Sequence, residues 1–301
     1  MADRLEQLYK SIRDKNTQTL LEHREDAYRR SPRFAQIDSE RAKILFSGLT
    51  PEAAKMRLDE LRSEQELLLK ELYLPPTYLD MRYQCPACKD TGFVGEDIRK
   101  PCACYLKNKQ RFLMEGARIN DVQTFERFST DIYSNDLQRT RTNNAKKICE
   151  AYANGLPTPK SCSLLMLGEA GLGKSYLGNA IAYRAIENGI ECIRITAYRF
   201  IQDIMEGLSL HENRLNKYIH VPLLVLDDLG IEPIISNVTG ECLLSLISER
   251  QGARMATVCI SNLSYEEMYS RYTERFASRL FDNSTTILIQ LTGNDLRGSM
   301  R

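Results

Sequence analysis

Gly168-Glu169-Ala170-Gly171-Leu172-Gly173-Lys174-Ser175 matches the pattern G-x-x-x-x-G-K-[ST] at every fixed position. Glycines at these positions let backbone N–H groups curl around the β- and γ-phosphates of a nucleotide. A helix beginning at the end of the loop adds the positive end of its dipole. In that arrangement Lys174 neutralises phosphate charge and the Ser175 hydroxyl reaches a magnesium ion. The flanks fit, because apolar Ser163–Leu167 precedes the loop as a strand and Tyr176 opens a helical stretch. The contacts predicted for a nucleoside triphosphate therefore run from Gly168 to Tyr176. An ordinary Gly-rich turn is the alternative, and it does not call for Lys-Ser at the helix start.

Such a site needs acids at the end of a second buried strand. Val221-Pro-Leu-Leu-Val-Leu-Asp227-Asp228 supplies them. Asp227 closes the apolar run and is predicted to hold Mg2+ through water, while Asp228 is placed to orient or deprotonate the attacking water. Asp is one methylene shorter than Glu, so slow hydrolysis is expected. The run Val258-Cys-Ile-Ser261-Asn262 ends in an amide that can bond the γ-phosphate or the water, although Ser-Asn also starts turns. Arg275 and Arg279 stand four apart on one helical face. They are either surface arginines or a finger reaching a neighbouring subunit's phosphate.

Cys85-Pro-Ala-Cys88 and Cys102-Ala-Cys104 lie within twenty residues and flank a polar, Gly-punctuated turn. Two close thiol pairs of this kind suit tetrahedral Zn2+. His23, His211 and His220 are far away in sequence, so four thiolates are the simplest ligand set. Such a site is structural, since no position is left open for water. The alternative is a group of spare reduced thiols. Cys149, Cys162, Cys192, Cys242 and Cys259 fall mostly in apolar runs and read as small core residues.

Elements must position these groups. Five apolar runs, Cys162–Leu167, Cys192–Ile195, Pro222–Leu226, Ala256–Ile260 and Thr286–Leu291, alternate with helical stretches. That is the pattern of an α/β domain around a parallel sheet. Residues 1 to about 75 read as helix. Thr50-Pro51-Glu52 is a helix start, with Ala54, Leu58, Leu61, Leu68 and Leu72 forming a buried stripe and Pro75-Pro76 closing it. From 106 to 150 the chain turns basic through Lys107, Lys109, Arg111, Arg118, Arg127, Arg139, Arg141, Lys146 and Lys147. This run is a solvated linker and helix face, or a nucleic-acid contact. The predicted division is a helical zinc-binding domain at 1–105, a linker at 106–135 and an ATPase domain at 136–301. The balance of 41 Lys+Arg against 40 Asp+Glu excludes a global field that holds nucleic acid, so any such contact is local. A polar, charged N-terminus and the lack of a long apolar run predict a cytoplasmic protein with no membrane partner.

Together these segments resemble the bacterial replicative helicase loaders of the DnaC/DnaI type in the AAA+ class. The resemblance rests on Asp26-Ala-Tyr-Arg-Arg, on Cys85-Pro-Ala-Cys88-Lys-Asp-Thr-Gly-Phe with Cys102-Ala-Cys104, and on Gly168–Ser175. Asp227-Asp228-Leu-Gly, Asn262 and Glu274-Arg-Phe-Ala-Ser-Arg-Leu280 complete it. It implies an AAA+ P-loop ATPase with a five-stranded parallel sheet, using ATP, Mg2+ and Zn2+. Asn262 is then the first sensor, Arg275 the finger and Arg279 a second arginine of the same box; Arg297 and Arg301 receive no role. The implied activity is a slow ATPase, stimulated by DNA or partner, that loads the hexameric replicative helicase onto single-stranded DNA. The zinc-bearing region would hold the helicase, as in the Gram-positive DnaI-like branch, and the ATPase part would bind single strands and assemble as a ring or spiral. Past Leu291 the sequence runs only to Arg301, so no C-terminal lid is expected. An IstB-like ATP-binding helper of a transposase shares the ATPase core and is the nearest rival. A small-molecule kinase or a zinc-ribbon adaptor is more distant.

Overall fold

A computed structural model describes residues 2–44, 46, 48–95, 98–133, 135–236 and 238–295. The chain forms two compact units, 1–107 and 108–301.

The first unit begins with α1 (Ala2–Arg30), α2 (Arg33–Ile44) and α3 (Pro51–Glu71). The start of α3 is as read from sequence: the Thr50 hydroxyl accepts the Ala53 N–H at 3.3 Å, and Pro51 occupies the first turn, where no N–H is missed. Burial on α3 centres on Leu61 and Leu69, with Leu68 and Leu72 partly covered, whereas Leu58 stands exposed. The stripe thus begins a turn later than its spacing predicts and includes Leu69, which packs with Ala27 and Phe34. A short hairpin, β1 (Phe93–Val94) and β2 (Lys100–Pro101), lies between the two cysteine pairs. Among the described residues no helix is long and apolar enough to cross a membrane.

The second unit is built on β3 (Ser163–Leu167), β4 (Cys192–Thr196), β5 (Leu223–Leu229), β6 (Ala256–Ser261) and β7 (Thr286–Gln290). All pairings are parallel and the order is β7-β3-β6-β5-β4. This is the five-stranded parallel sheet with flanking helices expected from the sequence. The central strands β3, β5 and β6 read as apolar runs because both their faces are covered. Alternate residues go to opposite sides: Leu164 and Met166 of β3 join one core cluster, Leu165 and Leu167 the other. The first cluster includes α5 (Asp136–Asn154) and α6 (Lys174–Glu187). The second includes α7 (Ala197–Ser209), α8 (Leu215–His220), α9 (Thr239–Gly252), α10 (Tyr265–Arg271) and α11 (Glu274–Leu280). Cys149, Cys162, Cys192 and Cys259 are buried, as their apolar surroundings predict, and Cys242 is half-buried.

The stretch 106–135, read from sequence as a linker, is mostly part of this second unit. It holds most of α4 (Ala103–Ala117), and Leu113, Ala117, Phe125 and Phe128 are buried in the first core cluster. Its many basic residues obscure the spacing of these few apolar ones.

Arg250 is fully buried and, among the described residues, has no carboxylate partner. Its guanidinium donates to the carbonyls of Tyr218, Ile219, Val221 and Ala256 and to the Thr257 hydroxyl, joining the end of α8 to the starts of β5 and β6. Burial lowers its pKa to about 10, which leaves it charged at neutral pH. Arg250→Ala is expected to cost about 3–5 kcal/mol, because several buried carbonyls lose their donor at once. Urea unfolding measures this, and Arg250→Lys, a single charge with no fork, should recover only part of it.

Candidate functional site

The sheet order places the sequence-predicted groups at one end of the sheet. β3 feeds the loop 168–173, β6 lies beside it, and β5 lies beside β6. The tip of β6 therefore falls between the phosphate loop and the acid pair. Crevices at the carboxyl ends of parallel strands, where connections diverge, are where α/β sheets bind ligands.

The loop backbone is shaped for close approach. Gly173 has φ +88°, and a Cβ there would lie 3.2 Å from the Phe128 ring. At Gly168, with φ +141°, a Cβ would meet the Leu291 carbonyl oxygen at 2.1 Å. The Gly168 position excludes a side chain, and the left-handed backbone at Gly173 strains one. Lys174 opens α6, is 4% exposed, and its ammonium donates at 2.6 Å to the carbonyls of Gly168 and Glu169. Two of the partners that hold the charge over the loop are thus neutral carbonyls that a phosphate can replace.

At Asp227 and Asp228 the register between β5 and β6 slips: three steps from Leu226 to Leu229 oppose two from Cys259 to Ser261. Asp228 takes φ +55° within this bulge. A bulge re-aims consecutive side chains, and here the two acids part. Asp227 is buried; its Oδ1 accepts from the Ser175 hydroxyl and the Asp228 N–H, both at 3.0 Å. Asp228 instead lines a cavity of about 450 Å3 together with Asn262 and residues 171–176. The fold thus brings together Lys174, Ser175, Asp227, Asp228 and Asn262. Ser175 and Asp227 present adjoining oxygens of the kind Mg2+ prefers. Arg275 and Arg279 are exposed on α11 and do not line that cavity. Arg297 and Arg301 lie outside the described residues.

Sequence reasoning missed the far wall of the cavity, made by Gln123, Arg127, Phe128, Ser129, Ile132 and Tyr133. The buried Tyr133 donates its hydroxyl to the Leu172 carbonyl, and Phe128 packs edge-on against Tyr176. Asn179 of α6, also missed, donates to the carbonyls of Asn120 and Gln123 and accepts the Asn120 N–H. A fully buried Asn in an apolar helix was the available signal. Part of the basic run does structural work within this unit. Lys146 donates to the Phe128 carbonyl, Arg139 to the Tyr133 carbonyl and Arg141 to the Thr292 hydroxyl.

In the first unit, the sulfurs of Cys85, Cys88, Cys102 and Cys104 lie within 4.8 Å of one another. The Cys85–Cys102 and Cys88–Cys104 distances are 3.7 and 3.5 Å. Four thiolates at ~2.3 Å from a tetrahedral zinc stand about 3.8 Å apart, so the donor set fits that ion. The Cys88 backbone N–H, with help from the neighbouring thiols, holds the Cys85 thiol down to about 7. Burial pushes Cys104 up to about 12, so its ionisation depends on a cation beside it. Buried Asp90 braces the first pair: its carboxylate accepts the Cys85 N–H at 2.7 Å, the Gln84 N–H at 2.9 Å and the Asn16 amide at 2.7 Å.

Residues 106–294 match the family described as IstB-like ATP binding protein. The chain is 28% identical over 118 residues to the replicative helicase loader DnaI of Bacillus subtilis (strain 168), covering 38% of this chain and 38% of that protein. It is 29% identical over 150 residues to an insertion sequence ATP-binding protein of Sinorhizobium fredii, covering 46% and 58%. The chain thus spans less than two thirds of either relative's length. Among solved structures, a DnaC helicase loader aligns with TM-score 0.46 and 21% identity over 55% of this chain and 96% of that one. A DnaI structure aligns with TM-score 0.45 and 23% identity over 63% and 100%.

Proposed function

We propose that this chain, which belongs to the IstB-like ATP binding protein family, is an ATP-dependent loader of a hexameric replicative DNA helicase onto single-stranded DNA. Lys174 and the N–H groups of residues 168–176 bind the phosphates, and Ser175 and Asp227 hold Mg2+, the acid through water. Asp228 orients the attacking water and Asn262 senses the γ-phosphate. Exposed Arg275 acts on nucleotide held by a neighbouring copy in a ring or spiral. Cys85, Cys88, Cys102 and Cys104 hold a structural zinc in the unit that grips the helicase. Single-stranded DNA binds by phosphate contact and stacking rather than base-specific readout. Hydrolysis is slow without DNA or partner.

The observation that carries this reading is the presence, in one chain, of the nucleotide cavity and a separate unit centred on four convergent thiols. A DnaI loader among the relatives supports it. A second reading, an ATP-binding helper of a transposase, is favoured by the insertion-sequence relatives. Size-exclusion of the chain with the host replicative helicase, with and without ATP, decides between them. A loader co-elutes with the helicase and not with a transposase. Arg275→Ala should keep ATP affinity within about two-fold yet lose DNA-stimulated phosphate release, a step to which a finger contributes ~10³-fold or more. Normal turnover in that variant would move the finger elsewhere.

A further inference from the structure

Arg194 lies on β4, the edge strand, two residues before Thr196, which pairs with Asp227. Residues two apart share a sheet face, and long side chains reach diagonal neighbours across strands. The Arg194 Nη2 donates to Asp227 Oδ2 at 2.8 Å. Since Oδ1 already accepts from Ser175 and from the Asp228 N–H, both oxygens of the acid are engaged. The ion pair is also incomplete: the Arg194 Nε is buried and, among the described residues, has no hydrogen-bond partner. Arg250 shows what a permanently housed arginine looks like in this fold, with donors spread over five acceptors. Arg194, by contrast, also lines an open groove of about 1210 Å3 beside Thr196, Arg199, Asp203 and Lys217.

We infer that Arg194 is a positioning residue that competes with Mg2+ for Asp227, so that it sets how much of the ion the nucleotide site requires. This rests on the assignment of Ser175 and Asp227 to magnesium. A guanidinium in contact with a carboxylate repels a divalent cation approaching the same group and occupies a lone pair that the ion's water shell needs. A buried carboxylate without any counter-charge is costly, so either the arginine or the cation must serve. The groove gives the displaced guanidinium room to turn toward solvent without leaving β4. Arg194 is therefore the group through which occupancy of that groove can alter the magnesium requirement of the nucleotide site.

The test is equilibrium binding of a fluorescent ATP analogue in a Mg2+ titration, and again in excess EDTA. Arg194→Gln should lower the half-maximal Mg2+ concentration about ten-fold, the size of a typical coupling between two sites. Its affinity in EDTA should change less than about two-fold. Arg194→Lys, which keeps the charge, should stay near wild type. Arg194→Met replaces Gln if that variant does not fold. A merely structural arginine would weaken binding equally with and without Mg2+, and that result, or an unmoved Mg2+ midpoint, overturns the inference. If the wild type binds no nucleotide at all, the site assignment itself falls; if it binds and only the Mg2+ midpoint is unmoved, that assignment stands.

Discussion

Lys174→Ala is expected to abolish ATP binding, with a loss of about 3 kcal/mol or more, above a hundred-fold in affinity. The expectation follows from where the ammonium sits. It is almost fully buried at the start of α6 and bonded to two loop carbonyls, so it already points into the space that N–H groups of the same loop surround. Bound phosphates replace neutral acceptors with charged ones, at a helix N-terminus and away from bulk water, where a charge-assisted bond is stronger. Removing the ammonium leaves the phosphates' negative charge opposed mainly by backbone dipoles. Nearby acids worsen the balance, since Asp228 lines the same cavity and Asp227 adjoins it through Ser175. Isothermal titration with ATP and Mg2+ measures the loss. Thermal melting without nucleotide separates it from unfolding: the core clusters do not include Lys174, and the melting temperature should move by only a few degrees. An unchanged affinity would remove the phosphate loop from its assigned role.

The glycine-rich turn at 168–173, the acid pair on β5 and all five strands of the sheet were legible because each leaves a local signal. A strand covered on both faces must be apolar throughout, so β3, β5 and β6 appear as unbroken runs. What was illegible depends on contacts between distant residues. Phe128 and Tyr133 line the cavity beside residues 171–176, yet in sequence they sit in a basic stretch that resembles a linker. Nothing local marks Tyr133 as the partner of a carbonyl 39 residues away. Arg194 reads as a charged interruption of a short strand until the parallel pairing of β4 with β5 brings it to Asp227. The bulge that separates Asp227 from Asp228 is likewise a property of the pairing. Two adjacent aspartates in a sequence do not announce that one will be buried while the other lines the cavity.

The second large effect is expected in the other unit. Cys85→Ser combined with Cys88→Ser should remove zinc and unfold the segment from about 80 to 104, while ATP affinity in the same sample stays at wild type. Besides the thiols, the segment is held by hydrogen bonds from Arg13 and Asn16 of α1 to Asp90. Its hairpin has two residues per strand, and among the described residues Cys88 and Cys102 are its only buried apolar side chains. Among its buried groups are two of the sulfurs and the carboxylate of Asp90, whose role is to receive N–H donors around the first pair. Structural zinc contributes ~10–16 kcal/mol of apparent binding energy in small metal domains, more than the marginal stability of a fold this size. Without the ion, burial keeps Cys104 protonated and the close thiols lose the charge that draws them together. Metal analysis of the purified wild-type chain should return one zinc per molecule, and the double variant none. Hydrogen exchange should then show lost protection at 80–104 and unchanged protection in β3 and α6. Helicase co-elution should vanish with the zinc, because the surface proposed to grip the partner belongs to the unit that the metal orders. A wild-type chain containing no zinc would end this account of the thiols, and it would leave the nucleotide site untouched, since that site is built entirely from residues of the second unit.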